Sequence, residues 1–314
     1  MYSKALKRFV SIMVMSFVLV GCNVAEKEGG EDQPIQVVAT TSQIGDSISQ
    51  IGGEFLEVTT LMGPGVDPHI YQPTQRDIQA LQNADIVFYN GLHLEGRMDE
   101  VFEQIGKDRP VLALADAVSA QDLLNDPDEP AVTDPHIWFD IDIWMTALDH
   151  ATKELEELLP NNKAELNVQK EAYFSQLEEL KTESLKTMAT IPDEQRVLVT
   201  AHDAFGYFGR MYNTEVLGLQ GLSTEDEIGV SDIQEIVNLL VEREIPSVFV
   251  ESSISERSIR AVIEGATQAG HSVTLGGELY SDAMGAKGTE TGTYIGMYKH
   301  NIETISQALL KEGE

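Results

Sequence analysis

The tetrapeptide Asp-Pro-His-Ile occurs twice in this chain, at residues 67–70 and 134–137. Proline fixes its own φ and disfavours the helical conformation in the preceding residue, so each copy is expected to form a rigid turn. The chain has only seven histidines. A rigid turn can hold an imidazole, the commonest metal ligand, at a fixed geometry. The repeated motif therefore predicts that His69 and His136 bind a metal ion.

Two more candidate ligands lie in loops of the C-terminal part of the chain. His202 follows the apolar run 197–201, and Asp282 lies in the segment 280–285, after the last strand-like run. Taken alone, His202 could equally cap the following helix, and Asp282 could be an ordinary turn residue. Together with the first two histidines they offer three imidazoles and a carboxylate. That set suits a divalent first-row transition ion, whereas calcium and magnesium prefer oxygen ligands only.

The remaining histidines are weaker candidates. His93 lies near Glu95 and is expected at the rim of a loop, while three others are expected to be structural or solvated: His150, His271 and His300. Glu251 follows a strand-like run and has two possible roles. It could orient a metal-binding imidazole, since such ligands usually have a hydrogen-bond partner, or it could cap the chain before two serines.

Short runs of β-branched residues alternate with helical patterns. Predicted strands cover 35–40, 56–62, 86–89, 111–114, 197–200, 216–217, 248–250 and 272–275. Predicted helices cover 42–52, 74–81, 231–243, 255–268 and 293–310. This alternation predicts an α/β fold with mostly parallel sheets. Ligands of such sheets bind beyond the carboxyl ends of the strands, where the four candidate ligands lie.

One long helix is predicted between the two blocks of alternating elements. Residues 163–188 are rich in Glu, Leu, Lys and Gln and contain no Gly or Pro, and a helix of that length spans about 40 Å. We therefore expect an N-terminal βα lobe over residues 35–160, a rigid linking helix over 161–189 and a C-terminal βα lobe over 190–314.

The N-terminus has the pattern of an export signal. Three basic residues precede an apolar stretch that is too short for a comfortable membrane span. The stretch is followed by Gly21 and by Cys22, the only cysteine, and this ending resembles the bacterial lipobox. The resemblance implies a lipoprotein signal peptide over residues 1–21 and a lipid on the Cys22 thiol. The alternative is a free structural cysteine. Residues 22–34 are polar and lack aromatic side chains, so we expect a flexible tether.

The overall charge disfavours nucleic acid as a partner. The chain has 21 basic and 52 acidic residues and a formal net charge of −31, whereas binding to nucleic acid requires a basic face. An acidic surface could raise the local concentration of cations. Solubility is the simpler explanation, because such a field is screened within about 8 Å.

Seven ordered motifs stand along the mature chain: ATTS at 39–42, GPGVDPH at 63–69, NGLHLE at 90–95, DPHIW at 134–138, AHDAFGYF at 201–208, GLQGLST at 218–224 and YSDAMG at 280–285. With these motifs the chain resembles the solute-binding lipoproteins of manganese and zinc ABC transporters, most nearly the manganese-binding lipoproteins of Gram-positive type. The resemblance implies two βα lobes joined by a stiff helix, with the metal held between them by His69, His136, His202 and Asp282.

The resemblance also implies a cellular role. A lipid anchor would hold the protein at the extracytoplasmic face of the cell membrane, where it would act as a monomer. There it would deliver its ion to a membrane permease driven by an ATPase. Zinc-dedicated relatives often carry a histidine-rich acidic loop before the second ligand. Residues 116–133 are acidic but contain no histidine, which favours Mn²⁺ as the transported ion. His202 stands where some manganese-dedicated relatives have a glutamate, which leaves Zn²⁺ as the alternative.

Two other functional classes use similar features. A secreted metallohydrolase needs an open coordination position and a general base, and the chain has no HExxH motif. A surface adhesin could share the lipid anchor. We therefore expect a metal-binding transport protein and not an enzyme.

Overall fold

The computed structural model of the chain describes residues 33–127, 129–225 and 228–310. The predicted signal peptide, Cys22 and residues 22–32 of the predicted tether lie outside these ranges. Within them, we call residues 33–162 the N-terminal half and residues 189–310 the C-terminal half. No described helix is long and apolar enough to span a bilayer.

The N-terminal half is built on one parallel sheet. Its strands are β1 (Ile35–Ala39), β2 (Leu56–Thr60), β3 (Ile86–Tyr89) and β4 (Val111–Ala113), in the order β2-β1-β3-β4. Three helices connect them: α1 (Ser42–Gly52), α2 (Gln75–Asn83) and α3 (Asp99–Ile105). Both faces are covered, as is usual for parallel sheets. Val37 packs into the cluster that includes α1, whereas Val38 packs into the cluster that includes α2 and α3.

Two long helices follow the first sheet. They are α4 (Ile141–Leu158) and α5 (Lys163–Met188). The second has 26 residues and buries a stripe of side chains: Leu166, Tyr173, Leu177, Leu180, Ser184 and Met188. Their spacing of three, four or seven residues places them on one face of the helix. This face packs against α1, α4 and the C-terminal helix. The long helix is the one that the composition predicts, while the lobe boundaries at 160/161 and 189/190 stay predictions.

The C-terminal half has two parallel strand pairs. They are β5 (Val197–Thr200) with β6 (Glu215–Gly218), and β7 (Ser247–Glu251) with β8 (Thr274–Leu279). β5 lies beside β7. The helices are α6 (Gly206–Tyr212), α7 (Val230–Glu242), α8 (Arg257–Gln268) and α9 (Tyr294–Leu309). The parallel sheets and the long helix confirm the predicted α/β class.

Strand β8 runs further than the sequence predicts. The prediction ends at Leu275, because glycine weakens a strand pattern, yet the strand continues through Gly276 and Gly277 to Leu279. A Cβ at Gly276 would lie 2.6 Å from the Phe249 ring and 2.9 Å from Ala308. The two glycines therefore let α9 and β7 approach the strand closely.

The largest hydrophobic cluster joins both halves of the chain. Helix α9 packs against α1 and α5, and the rings of Phe139 and Phe205 stack at 4.6 Å between centroids. The hydroxyl of Tyr294 donates to the Trp138 carbonyl at 2.6 Å, and that of Tyr298 to the Phe139 carbonyl at 2.8 Å. The segment that follows His136 is thereby fixed to the C-terminal half.

Candidate metal centre

All four predicted ligands lie in loops that follow strands. His69 comes after β2, His136 after the long loop that leaves β4, His202 directly after β5 and Asp282 after β8. The structure brings them together: each is buried, and one ligand atom of each lies within 4.8 Å of those of the others. Carboxyl ends of parallel strands are where ligands bind in α/β folds. Two of these side chains come from each half of the chain.

The imidazole Nε2 atoms surround the carboxylate of Asp282. Its Oδ1 lies 3.4 Å from Nε2 of His136, and its Oδ2 lies 3.5 Å from Nε2 of His202 and 3.9 Å from Nε2 of His69. Within the described residues, both oxygens of Asp282 and Nε2 of His69 are buried without a hydrogen-bond partner. Buried polar atoms are nearly always paired. Three unpaired atoms facing one point fit a cation as their common partner.

Two of the imidazoles are oriented by carboxylates. Asp134 Oδ1 accepts a hydrogen bond from the backbone N of His136 at 2.9 Å and pairs with its Nδ1 at 2.7 Å. Glu251 Oε1 accepts from the backbone N of His202 at 2.9 Å, and its Oε2 pairs with Nδ1 at 2.7 Å. A carboxylate on Nδ1 fixes the ring and directs the Nε2 lone pair at the centre. Of its two possible roles, Glu251 therefore has the orienting one.

The first copy of the repeated motif is held differently. Asp67 Oδ1 accepts from the backbone N of His69 at 2.9 Å, as Asp134 does in the second copy. The other oxygen of Asp67 accepts from the Thr224 hydroxyl at 2.6 Å. The turn geometry therefore repeats, but the second hydrogen bond of the aspartate does not.

Burial and charge give the ligands different proton affinities. Burial lowers the pKa of His69 to about 3, so this imidazole is neutral at physiological pH. Burial also opposes the charge of His136, but Asp134 and Asp282 more than offset it and raise its pKa to about 10.

The charges of His202 and Asp282 shift each other's pKa. Burial disfavours the charge on His202, but Glu251 and Asp282 outweigh it and raise the pKa of His202. Burial likewise opposes the carboxylate charge of Asp282, and the three imidazoles outweigh that effect and hold the pKa of Asp282 below its usual value. The cluster thus contains an ionised carboxylate, a neutral imidazole and, at His136, an imidazole whose proton a cation must displace.

The other histidines lie outside the cluster. His93 is at the surface, with its Nδ1 3.3 Å from Asp99. His271 and His300 bond backbone carbonyls through Nε2, at 2.7 and 2.9 Å, and His150 lies within α4.

Sequence reasoning missed the role of Glu95. This buried carboxylate accepts hydrogen bonds from the Thr40 hydroxyl at 2.6 Å and from the backbone N of Asn90 at 2.8 Å, and burial raises its pKa to about 7. The Asn90 amide in turn donates to the Pro135 carbonyl at 2.8 Å, next to His136. Asp134 was missed as well. Its place two residues before a candidate ligand, repeated in both motifs, was the available signal.

Comparison with known proteins places this site in a family. The zinc-uptake complex component A periplasmic family (ZnuA) matches residues 37–308. The manganese-binding lipoprotein MntA of Bacillus subtilis is 48% identical over 95% of this chain and 97% of its own length. The zinc-binding protein TroA of Treponema pallidum is 42% identical over 91% of this chain and 92% of its own. A solved structure, the periplasmic zinc-binding protein TroA from Treponema pallidum, superposes with a TM-score of 0.86 at 43% identity, covering 88% of this chain and 99% of that one.

The fold and the site thus define an extracytoplasmic solute-binding protein with a buried centre of three histidines and an aspartate, suited to Mn²⁺ or Zn²⁺ as the transported ion. The chain belongs to the ZnuA family, and it is the metal-binding component of an ABC importer, which implies a permease as partner. The family consists of solute-binding proteins and not of enzymes, so the match argues against the metallohydrolase alternative.

Proposed function

We propose that His69, His136, His202 and Asp282 bind the transported ion directly. The observation that carries this proposal is the convergence of four buried ligand atoms, one from each residue, within 4.8 Å. Among the described residues, Nε2 of His69 and both carboxylate oxygens of Asp282 have no hydrogen-bond partner. Two imidazoles have carboxylates on their far nitrogen, the arrangement typical of metal-binding histidines.

We propose Mn²⁺ as the physiological ion, with Zn²⁺ as the alternative. Both oxygens of Asp282 face the imidazoles, and carboxylate ligands suit manganese. The acidic loop 116–133 has no histidine, and the relative at 48% identity is named as manganese-binding. The alternative is supported by the relative at 42% identity, which is named as zinc-binding. Intrinsic affinity favours zinc in such a site, so selection for manganese would depend on geometry and availability.

Metal competition on soluble protein starting after Cys22 tests both proposals. Affinities for Mn²⁺ and Zn²⁺ are measured by calorimetry for the wild type, for His69→Ala and for Asp282→Ala. We expect one tight site, which either substitution abolishes. His93→Ala, which replaces a surface histidine, is the control and should leave binding intact. A His69→Ala protein that binds one equivalent with wild-type affinity would contradict the ligand assignment. Tight zinc binding with manganese binding too weak for micromolar supply would select the alternative ion.

We further propose that Cys22 carries the lipid anchor and that the protein acts as a monomer with a permease and its ATPase. Relatives named as lipoproteins support the anchor. Replacement Cys22→Ser should release the protein from the membrane fraction into the medium. A Cys22→Ser protein that remains with the membranes would exclude the lipid on this thiol as the anchor.

A further inference from the structure

The four proposed ligands are held in two different ways. The Nδ1 atoms of His136 and His202 each pair at 2.7 Å with a carboxylate from the same half of the chain. For His69, the only carboxylate within 4 Å of the ring nitrogens among the described residues is Asp282, itself a proposed ligand. His69 and Asp282 must therefore be positioned by other contacts.

The turn that carries His69 is held from the C-terminal half. Thr224, in the loop after β6, donates its hydroxyl hydrogen bond to Asp67 Oδ2 at 2.6 Å. The other oxygen of Asp67 accepts from the backbone N of His69 at 2.9 Å. The Thr224 carbonyl accepts from the Gln220 side chain at 2.8 Å, which fixes its loop. The carboxylate of Asp67 thus connects the loop that carries Thr224 to the backbone of His69.

The loop that carries Asp282 is held from the N-terminal half. Gln43, in α1, is fully buried, and its Nε2 donates to the Ser281 carbonyl at 3.0 Å. Ser281 and Asp282 are both buried. The two ligands that lack an orienting carboxylate are therefore held reciprocally, each by a side chain of the opposite half.

We propose that Thr224 and Gln43 are positioning residues that present His69 and Asp282 to the ion only while the two halves stay together. This inference depends on the ligand assignment proposed above. Separation of the halves would break both hydrogen bonds and leave each ligand only the contacts of its own half, such as Asp67 to the His69 backbone and Asn301 to the Tyr280 backbone. The two bonds would therefore slow the release of the ion.

A neighbouring contact offers a matched control. Arg97 Nε and Glu225 Oε1 also join the two halves, at 2.7 Å, directly beside Thr224. This ion pair is half-exposed and its side chains bond neither turn that carries a ligand. Exposed pairs of this kind contribute little to stability. Loss of this contact should therefore leave the ligands in place.

The test is the rate at which Mn²⁺-loaded protein releases its ion to an excess of a chromophoric chelator. Thr224→Val removes the hydroxyl at nearly constant volume and should accelerate release about tenfold, the lower end of the effect of losing a partner that orients a metal ligand. Gln43→Met should act in the same direction. Thr224→Ser, which keeps the hydroxyl, should restore the slow rate, and Glu225→Gln should stay within about twofold of the wild type.

Two further measurements separate positioning from general stability. In an Asp67→Ala background, Thr224→Val should have no additional effect, because its partner is already absent. The thermal midpoint of each metal-free variant measures any loss of stability separately from the release rate, and Thr224→Val is expected to lower it more than Glu225→Gln. A lowered midpoint with an unchanged release rate would show a purely structural role and overturn the proposal.

If His69→Ala still binds Mn²⁺ normally, the ligand assignment itself fails. If His69→Ala loses the ion while Thr224→Val and Gln43→Met release it at the wild-type rate, only the positioning role fails.

Discussion

The carboxylate of Glu251 accepts two hydrogen bonds from a single residue, one from the backbone N and one from Nδ1 of His202. The first places the residue and the second fixes the proton on Nδ1, which leaves Nε2 free to bind a cation. Because Glu251 ends strand β7, all five residues of which are buried, the imidazole is tied to the core of the C-terminal half.

Glu251→Gln should weaken Mn²⁺ binding about 10- to 100-fold, because an amide neither stabilises the ligating imidazole electrostatically nor fixes its tautomer as a carboxylate does. Competition against a metal indicator at constant pH measures the effect. The control is Glu278→Gln on the neighbouring strand β8, where the side chain is exposed. Equal affinities for Glu251→Gln and the wild type would contradict the orienting role.

Protons compete with the ion at this site. The pKa of His136 is raised to about 10 by Asp134 and Asp282, against the effect of burial, and its Nε2 lies 3.3 Å from Nε2 of His202. At neutral pH the metal-free pair therefore holds a proton between these nitrogens. A bound cation needs both lone pairs and must displace that proton.

Binding of Mn²⁺ at neutral pH should therefore release about one proton. The metal-free state holds more protons than the metal-bound state, so acid favours the metal-free state and the apparent affinity falls as the pH falls, by up to about tenfold per pH unit. His69, with its pKa lowered to about 3 by burial, is already neutral and adds no proton. Calorimetry in two buffers of different ionisation enthalpy measures the release. A binding enthalpy that is the same in both buffers would show that no proton leaves.

At the scale of elements, β8 shows why a strand boundary was misplaced. Gly277 has a φ of 144°, and a Cβ there would lie 2.5 Å from Cγ2 of Thr304 in α9. A glycine pair in a sequence usually indicates the end of a strand. Here the strand continues through the pair, because α9 packs so closely on it that there is no room for a Cβ. The bounds of the helix over residues 163–188 could be predicted, because helix-forming residues continue there without Gly or Pro.

Gly277→Ala should lower the free energy of unfolding by about 2 kcal/mol, through the strained φ and the contact with Thr304. Urea unfolding of the metal-free protein measures it. Gly96→Ala is the matched control, since a Cβ there has nothing within 4 Å and should change the stability by less than about 0.5 kcal/mol. If both substitutions have the same small effect, close packing of α9 on β8 does not contribute to stability as argued.

At the scale of the whole molecule, the sheet class and the four residues that cluster in the candidate metal centre could be predicted from the sequence, but the contacts between the halves could not. The repeated tetrapeptide and the positions of loops after strands are enough to predict His69 and His136 as candidate ligands without tertiary information. The hydrogen bonds of the two motif aspartates could not be predicted in this way. Asp67 accepts from the Thr224 hydroxyl, whereas Asp134 pairs with Nδ1 of His136 in its own motif. The packing of segments distant in sequence decides which partner each aspartate has. Asp46 is another case: its Oδ2 accepts a hydrogen bond at 2.8 Å from the backbone N of Tyr294, which is 248 positions away.

Those distant contacts predict that the two halves unfold together. The described residues from Pro34 onward form one compact unit, and the largest hydrophobic cluster contains side chains from Val37 to Leu309. Hydrogen exchange with mass spectrometry, at increasing urea, should show β1 and β7 losing protection at the same denaturant concentration. Free Mn²⁺ at about 1,000 times its Kd should stabilise both strands equally, by about 4 kcal/mol, because it binds only the folded state.

The opposite outcome has a physical basis in the second hydrophobic cluster. Its buried members run from Val197 to Val273 and all belong to the C-terminal half, so this half has a core of its own. If that core and the shared cluster were energetically separate, β7 would lose protection before β1, and Mn²⁺ would shift β7 more than β1. Equal shifts require the ligands from both halves and the aromatic contacts around Phe139 to act as one cooperative unit. The expected single transition therefore tests whether the long helix joins two independent lobes or forms part of one shared core.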